Sequence, residues 1–168
     1  MSYAADILMK DLPAHGAYCE ILKAFYQKYF PNGEADPDVF WRRIFSLSPG
    51  ERALMLINEV RNEVSDGGFG QYFDNTGYLR AAEAVRAFVL IGASKSAGFL
   101  RRAMEIAKIP DPLPPGYEPP ACDYDFEVEE DKRVRATLGK LDTEYYRGMD
   151  DTTGLMITYI RQHPEEFV

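Results

Sequence analysis

Ser48-Pro49-Gly50-Glu51-Arg52-Ala53-Leu54-Met55-Leu56-Ile57-Asn58-Glu59-Val60-Arg61-Asn62-Glu63-Val64-Ser65-Asp66-Gly67-Gly68 reads as one helix with both ends written into the sequence. Ser48 and Glu51 stand three apart as a capping box, and Pro49 occupies the first helical position, where no N–H is needed. Ala53, Leu54, Leu56, Ile57, Val60 and Val64 recur at helical spacing and give the segment one apolar face. Gly67 and Gly68 stop it, because glycine takes the left-handed conformation that closes a helix without a Cβ penalty.

The same grammar extends in both directions. Upstream, Ala14, Ala17, Tyr18, Ile21, Leu22, Phe25 and Tyr29 predict a helix over 13–30 that Pro31-Asn32-Gly33 ends. Asp36-Pro37 predicts an N-cap followed by proline at N1, opening a helix that carries Val39, Phe40, Trp41, Ile44 and Phe45. Downstream, Phe69–Asp74 reads as a brief helical turn, and residues 77–91 as a helix on the pattern Tyr78, Ala82, Val85, Phe88 and Val89. Gly92-Ala93-Ser94 marks a break with Ser94 as the next N-cap, before a face made of Phe99, Leu100, Ala103, Met104, Ile106 and Ala107. Six prolines within residues 110–120 exclude a regular helix and predict a stiff surface connection over 110–121. A helix resumes near Phe126 and runs toward Leu141, and a last one spans about Thr152 to Gln162 before Pro164. No hairpin signal or period-2 run appears. The expected fold is therefore all-α: one domain over 1–168, a bundle of about six to eight helices with N-terminal helices in 1–48.

Composition bounds the function. The chain has 168 residues, 46% hydrophobic and 27% charged, which suits a globular domain rather than a disordered chain. No apolar run approaches the ~20 residues needed to cross a bilayer, and the N-terminus lacks the basic and apolar regions of a signal peptide. Cys19 and Cys122 are two isolated thiols that fit a reducing cytoplasm. The net charge is −8, and its distribution is uneven. Glu118, Asp123, Asp125, Glu127, Glu129, Glu130 and Asp131 fall within fourteen residues that contain no base, while the rest of the chain holds 20 acids against 19 bases. Direct nucleic-acid binding needs a basic patch and is disfavoured. The acidic run reads as a helix start, favoured by the macrodipole and compensated by Glu129–Arg133 and Asp131–Arg135 pairs, or as a recognition surface for a basic partner.

Catalytic and metal chemistry find little purchase. His15 and His163 have no Cys, His or carboxylate neighbour at a metal-ligand spacing, so neither a metal nor a cofactor is expected. Asp123-x-Asp125-x-Glu127 fails as a calcium loop, since Val128 replaces the glycine and Val134 the terminal glutamate. Gly67-Gly68-Phe69-Gly70 lacks the Gly-Lys-Ser/Thr ending of a phosphate loop and follows a helix. Ser94-Lys95-Ser96 sits in no nucleophile turn. The residues that remain are Asn62, Asp66, Gly67, Gly68, Phe69, Gln71, Tyr72 and Asn75. In one reading Asn62, Gln71 and Asn75 satisfy backbone groups at a glycine corner while Phe69, Tyr72 and Phe73 plug the core. In the other they line a small polar pocket or contact surface.

Asn62-Glu63-Val64-Ser65-Asp66-Gly67-Gly68-Phe69-Gly70-Gln71-Tyr72-Phe73-Asp74-Asn75 resembles the N-E-x-x-N-G-G-F-x-Q-Y-F-x-N signature of a bacterial family of small helical proteins, the DNA-mimic-protein domain family. The resemblance continues through Ala81-Ala82-Glu83-Ala84, Ile91-Gly92-Ala93, Leu141-Asp142-Thr143-Glu144-Tyr145-Tyr146, Tyr159-Ile160 and His163-Pro164-Glu165-Glu166-Phe167, and covers about residues 50–168. It implies an all-α fold, no cofactor, a tendency to form a homodimer, and an acidic surface that imitates duplex DNA. Asp66 departs from the usual Asn, and the acidity sits in one segment rather than over a long surface. The leading expectation is a non-enzymatic module that engages a basic, DNA-binding protein through Asp123, Asp125, Glu127, Glu129, Glu130 and Asp131. The alternatives are a small-ligand or catalytic domain around Asn62, Gln71, Tyr72 and Asn75, and an immunity- or inhibitor-type protein.

Overall fold

Helix boundaries fall where caps and prolines put them. The computed structural model describes residues 2–34, 36–75, 77–114 and 129–168, with the side chains of 129–131 left aside. Among the described residues there are eight α-helices and no strand. They are α1 (Tyr3–Leu8), α2 (Ala14–Tyr29), α3 (Pro37–Phe45), α4 (Pro49–Asp74), α5 (Ala81–Leu90), α6 (Ser94–Ile106), α7 (Glu129–Gly148) and α8 (Thr152–Gln162), with 3-10 turns at Gly77–Leu79 and Pro164–Glu166. The all-α expectation holds. No helix among them is long and apolar enough to cross a membrane.

The chain forms two compact units: Met1–Met55 with Asp151–Val168, and Leu56–Asp150. In the first, α1, α2 and α8 pack on one another. Helix α2 buries Ala17, Tyr18, Ile21 and Phe25, the face its periodicity predicted. Asp36 caps α3 by accepting from the N–H groups of Asp38 (2.9 Å) and Val39 (3.3 Å). The serine half of the capping box at α4 is present and is wired further than the sequence suggests. Ser48 Oγ accepts from the Glu51 N–H at 3.2 Å, and its hydroxyl donates to the Glu166 carbonyl. The Glu51 carboxylate, 3% exposed, accepts the Tyr29 hydroxyl at 2.8 Å. Gly50 lets the C-terminal turn approach: a Cβ there would lie 2.7 Å from the Phe167 ring.

In the second unit α5 packs on α6, and α6 packs on α7. Gly92, at φ 80°, closes α5 as a Schellman motif. Its N–H bonds the Val89 carbonyl at 3.0 Å, and the Ala93 N–H bonds the Phe88 carbonyl at 2.8 Å. The expected N-cap at Ser94 is corrected here, because Ser94 is already the first residue of α6 and Ala93 precedes it without a side-chain bond. The cap comes from far along the chain. Asp150 Oδ2 accepts the Ser96 N–H at 2.9 Å, and Ser96 Oγ accepts the Asp150 N–H at 3.1 Å. Helix α1 was not anticipated; its N-cap is Ser2, whose hydroxyl accepts from the Ala5 N–H at 3.2 Å. The expected helix start near Phe126, and residues 115–121 of the proline-rich connection, lie outside the described residues.

Removing the Ser48 hydroxyl deletes one cap and one tether at once. Ser48→Ala is expected to lower unfolding free energy by about 1–2 kcal/mol, read from urea titration. An unchanged midpoint would mean that α4 does not depend on this start.

Candidate functional site

The signature stretch is a broken helix. Helix α4 leaves helical geometry at Gly67 (φ −159°, ψ 19°) and Gly68 (φ 78°, ψ −176°), then resumes from Phe69 to Asp74. Breaking a helix leaves carbonyls unpaired before the break and N–H groups unpaired after it. Helix α7 supplies both missing partners. The Tyr146 hydroxyl donates to the Val64 carbonyl before the break, and Asp142 Oδ1 accepts the Phe69 N–H at 2.9 Å after it. Asp142 and Tyr146 are four apart and share one face of α7. Tyr145 packs edge-on against Phe69, ring centroids 5.3 Å apart. Gly68 is required twice over: its φ is left-handed, and a Cβ would stand 2.2 Å from Asp142 Oδ2.

A second clasp crosses the break. Glu63, on the first arm, accepts from Gln71 Nε2 at 3.0 Å and from Asn75 Nδ2 at 2.7 Å, both beyond the break. The amides therefore bind a carboxylate rather than the backbone groups expected of them. Gln71 folds back over Gly67, where a Cβ would lie 2.2 Å from its Oε1. Beneath the clasp, Arg80 donates from Nε to both Glu59 oxygens at 3.0 and 3.1 Å, forming a pair whose side chains are 7% and 13% exposed. Burial pushes the Glu59 carboxyl up, opposed by Arg80 and reinforced by Glu63. Tyr72 is fully buried, its hydroxyl has no hydrogen-bond partner among the described residues, and burial raises it well above the ordinary phenol value.

Between the second arm of α4 and α7 runs a groove of about 500 Å³. Gly67, Gly70, Gln71, Asp74 and Asn75 form one wall; Arg135, Leu138, Gly139 and Asp142 form the other. Arg135 Nη2 lies 3.4 Å from Asp74 Oδ2. Burial raises both groove carboxyls. Arg135 offsets this at Asp74, and the Phe69 N–H offsets it at Asp142.

Of the residues singled out in the sequence, Gly67, Gln71 and Asn75 reach the groove, while Gly68 and Phe69 build the break beside it. Tyr72 lies in the core. Asn62 and Asp66 are exposed and outside the lining, and Asn62 has no hydrogen bond among the described residues. Asp123, Asp125 and Glu127 lie outside the described residues; Glu129, Glu130 and Asp131 are the first residues of α7. Sequence reasoning missed Glu59, Glu63, Asp74, Arg80, Arg135, Gly139 and Asp142. Two signals were available on α7. Gly139 and Asp142 are poor choices for a helix interior and stand three apart on one face. Elsewhere among the described residues, His163, Glu165 and Glu166 bring three ligand-type atoms within 4.8 Å. Both Glu166 oxygens are engaged, by the Gly50 N–H and the Tyr159 hydroxyl, so this trio reads as a structural knot.

The break makes two stability predictions. Gly68→Ala is expected to cost about 1–3 kcal/mol or more in chemical denaturation, whereas Gly139→Ala, with open space at its Cβ, should gain up to about 1 kcal/mol. For Asp142 the sign follows from its raised carboxyl. Its contribution is fully present below the unfolded value near 3.8 and is lost as pH rises through the native value. Stability measured against pH should therefore decline less steeply in Asp142→Asn than in wild type above pH 3.8. Parallel curves would show that this carboxyl is not held in its buried cap.

A family model described as DMP19-like protein matches residues 45–163. No curated protein and no solved structure was found to match the chain. The matched span contains the broken helix, the α7 residues that hold it and the groove between them, so the chain belongs to the DMP19-like family, the family of DNA-mimic protein 19.

Proposed function

We propose that the protein is a non-enzymatic binding module that engages a basic, DNA-binding protein and competes with DNA for it. The observation that carries this reading is the charge distribution. Seven acids and no base occupy Glu118 to Asp131, while the remaining 20 acids and 19 bases nearly cancel. Membership of a family named for DNA mimicry supports the same reading. Duplex DNA carries one charge per ~1.7 Å of axis, so a run of this size imitates a short piece of it. A homodimer that set two runs side by side would lengthen the imitation. Competition is the mechanism such a surface permits. It occupies the lysines and arginines that otherwise hold phosphates, and no bond is made or broken. Two isolated thiols suit a reducing cytoplasm, and on this reading the protein acts there.

The test is capture from host lysate at low and at moderate salt. Wild type is compared with a variant in which Asp123, Asp125, Glu127, Glu129 and Glu130 become Asn or Gln. The expected result is a basic partner held by wild type, released by added salt, and bound about tenfold or more weakly by the variant. A partner held equally by both proteins would move the binding surface away from the acidic run.

A further inference from the structure

Four of the five polar side chains that line the groove at the helix break, among the described residues, carry acceptor oxygens: Gln71, Asp74, Asn75 and Asp142. Glu63 fixes both amides with a nitrogen turned toward its carboxylate, which leaves the carbonyl oxygens of Gln71 and Asn75 turned the other way. Asp142 spends Oδ1 on the Phe69 N–H, and its Oδ2 stands over Gly68. Asp74 Oδ1 is buried with no donor among the described residues. Among the described residues of the lining only Arg135 brings a positive charge, and Asp74 holds it. The floor is open as well. A Cβ on Gly70 or on Gly139, from opposite walls, would meet nothing within 4 Å.

A cleft with spare acceptors on several sides and a net negative lining complements a group that donates in several directions and accepts in none. An ammonium offers a compact point charge that gives up water reluctantly. A guanidinium is planar, more weakly hydrated, and carries five N–H donors spread round its edge. The volume of about 500 Å³ falls in the range of a ligand site and admits an extended side chain.

We infer that this groove is a socket for a guanidinium group, supplied by an arginine side chain of the basic partner, so that the acidic run attracts the partner and the groove selects it. The inference rests on the binding reading above for the identity of the donor, and not for the chemistry of the socket. Arginine buried in a desolvated pocket is among the commonest sources of strong local binding energy at protein interfaces. Gly70 and Gly139 then have a role beyond packing: they keep the floor clear.

The experiment uses the full chain, labelled with nitrogen-15, and the capped tripeptide acetyl-Gly-Arg-Gly-amide as probe. Titration should shift the amide resonances of Gly70, Gln71 and Gly139 and the side-chain amide of Asn75 in one saturable process. The citrulline tripeptide, a neutral isostere, should bind at least about tenfold more weakly, and the lysine tripeptide should fall between them. Free arginine should bind no more tightly than the capped tripeptide; a clear preference for it would reassign the groove to a small metabolite and overturn the partner assignment. Gly139→Leu and Gly70→Leu fill the floor from opposite walls without touching a hydrogen bond, and circular dichroism checks that each remains helical. Both should abolish the shifts, and both should weaken partner capture although the acidic run is intact. The variant neutralised at Asp123, Asp125, Glu127, Glu129 and Glu130 should keep tripeptide binding within about twofold, because it leaves Gln71, Asp74, Asn75 and Asp142 of the groove unchanged. Equal shifts from arginine and citrulline, or saturating shifts that survive both leucine substitutions, overturn the socket. Partner capture that survives both leucine variants yet fails in the neutralised one overturns the socket's link to the partner and leaves the acidic-run reading standing.

Discussion

The second unit depends on how a helix is broken and held. Helix α4 stops at Gly67–Gly68, and the cost of stopping is a set of unpaired backbone groups on each side of the break. One turn of α7 answers both sides: Tyr146 donates to the Val64 carbonyl and Asp142 accepts the Phe69 N–H. Glu63 binds Gln71 and Asn75 across the same break. Two clasps hold the bend, and α7 lies beside the second arm with a groove between them. Gly68 is the point at which these demands meet, since both the backbone angle and the Asp142 carboxylate exclude a side chain there.

That arrangement explains why two separated pieces of the resemblance belong together. Asn62–Asn75 and Leu141–Tyr146 look unrelated in sequence, yet Glu63, Gly67, Gly68, Phe69, Gln71 and Asn75 in the first and Asp142, Tyr145 and Tyr146 in the second are halves of one joint. The signature thus encodes a joint before it encodes a surface. Within it Asn62, Ser65 and Asp66 are exposed and outside the groove lining, and Asp66 is where this chain departs from the usual Asn. An exposed position just ahead of the glycines tolerates that exchange, because no packing partner or clasp depends on it.

What the sequence made legible follows from range. Caps such as Asp36 and Ser48, and stops such as Gly67-Gly68 and Gly92, act within three or four residues, so their pattern can be read directly. The apolar face of α2 is equally local, and it is buried as its spacing requires. Partners chosen at long range leave no such pattern. Asp150 caps Ser96, the Glu166 carbonyl receives Ser48, and Asp142 caps Phe69; in each case a group distant in sequence took a role that local grammar assigned to a neighbour or to none. The groove was half legible. Its α4 wall lay inside a recognised motif, while its α7 wall required knowing that two helices separated by a proline-rich connection come side by side.

Charge is arranged differently in the joint and in the acidic run, and the difference bears on selectivity. In the joint the carboxylates are individually placed. Burial raises Glu59, Asp74 and Asp142 above their ordinary values, and each is opposed by a named donor: Arg80, Arg135 or the Phe69 N–H. Such groups act at contact distance and are little affected by salt. The acidic run has number in place of placement: seven like charges in fourteen residues produce a field that reaches about a Debye length and is screened beyond it. A field of that kind speeds encounter with any basic surface and distinguishes poorly among them. Selection needs a shaped site whose acceptors are left unsatisfied by the wrong partner. In the second unit the groove beside Gly68 meets that description, and the same broken helix that gives the family its signature provides it.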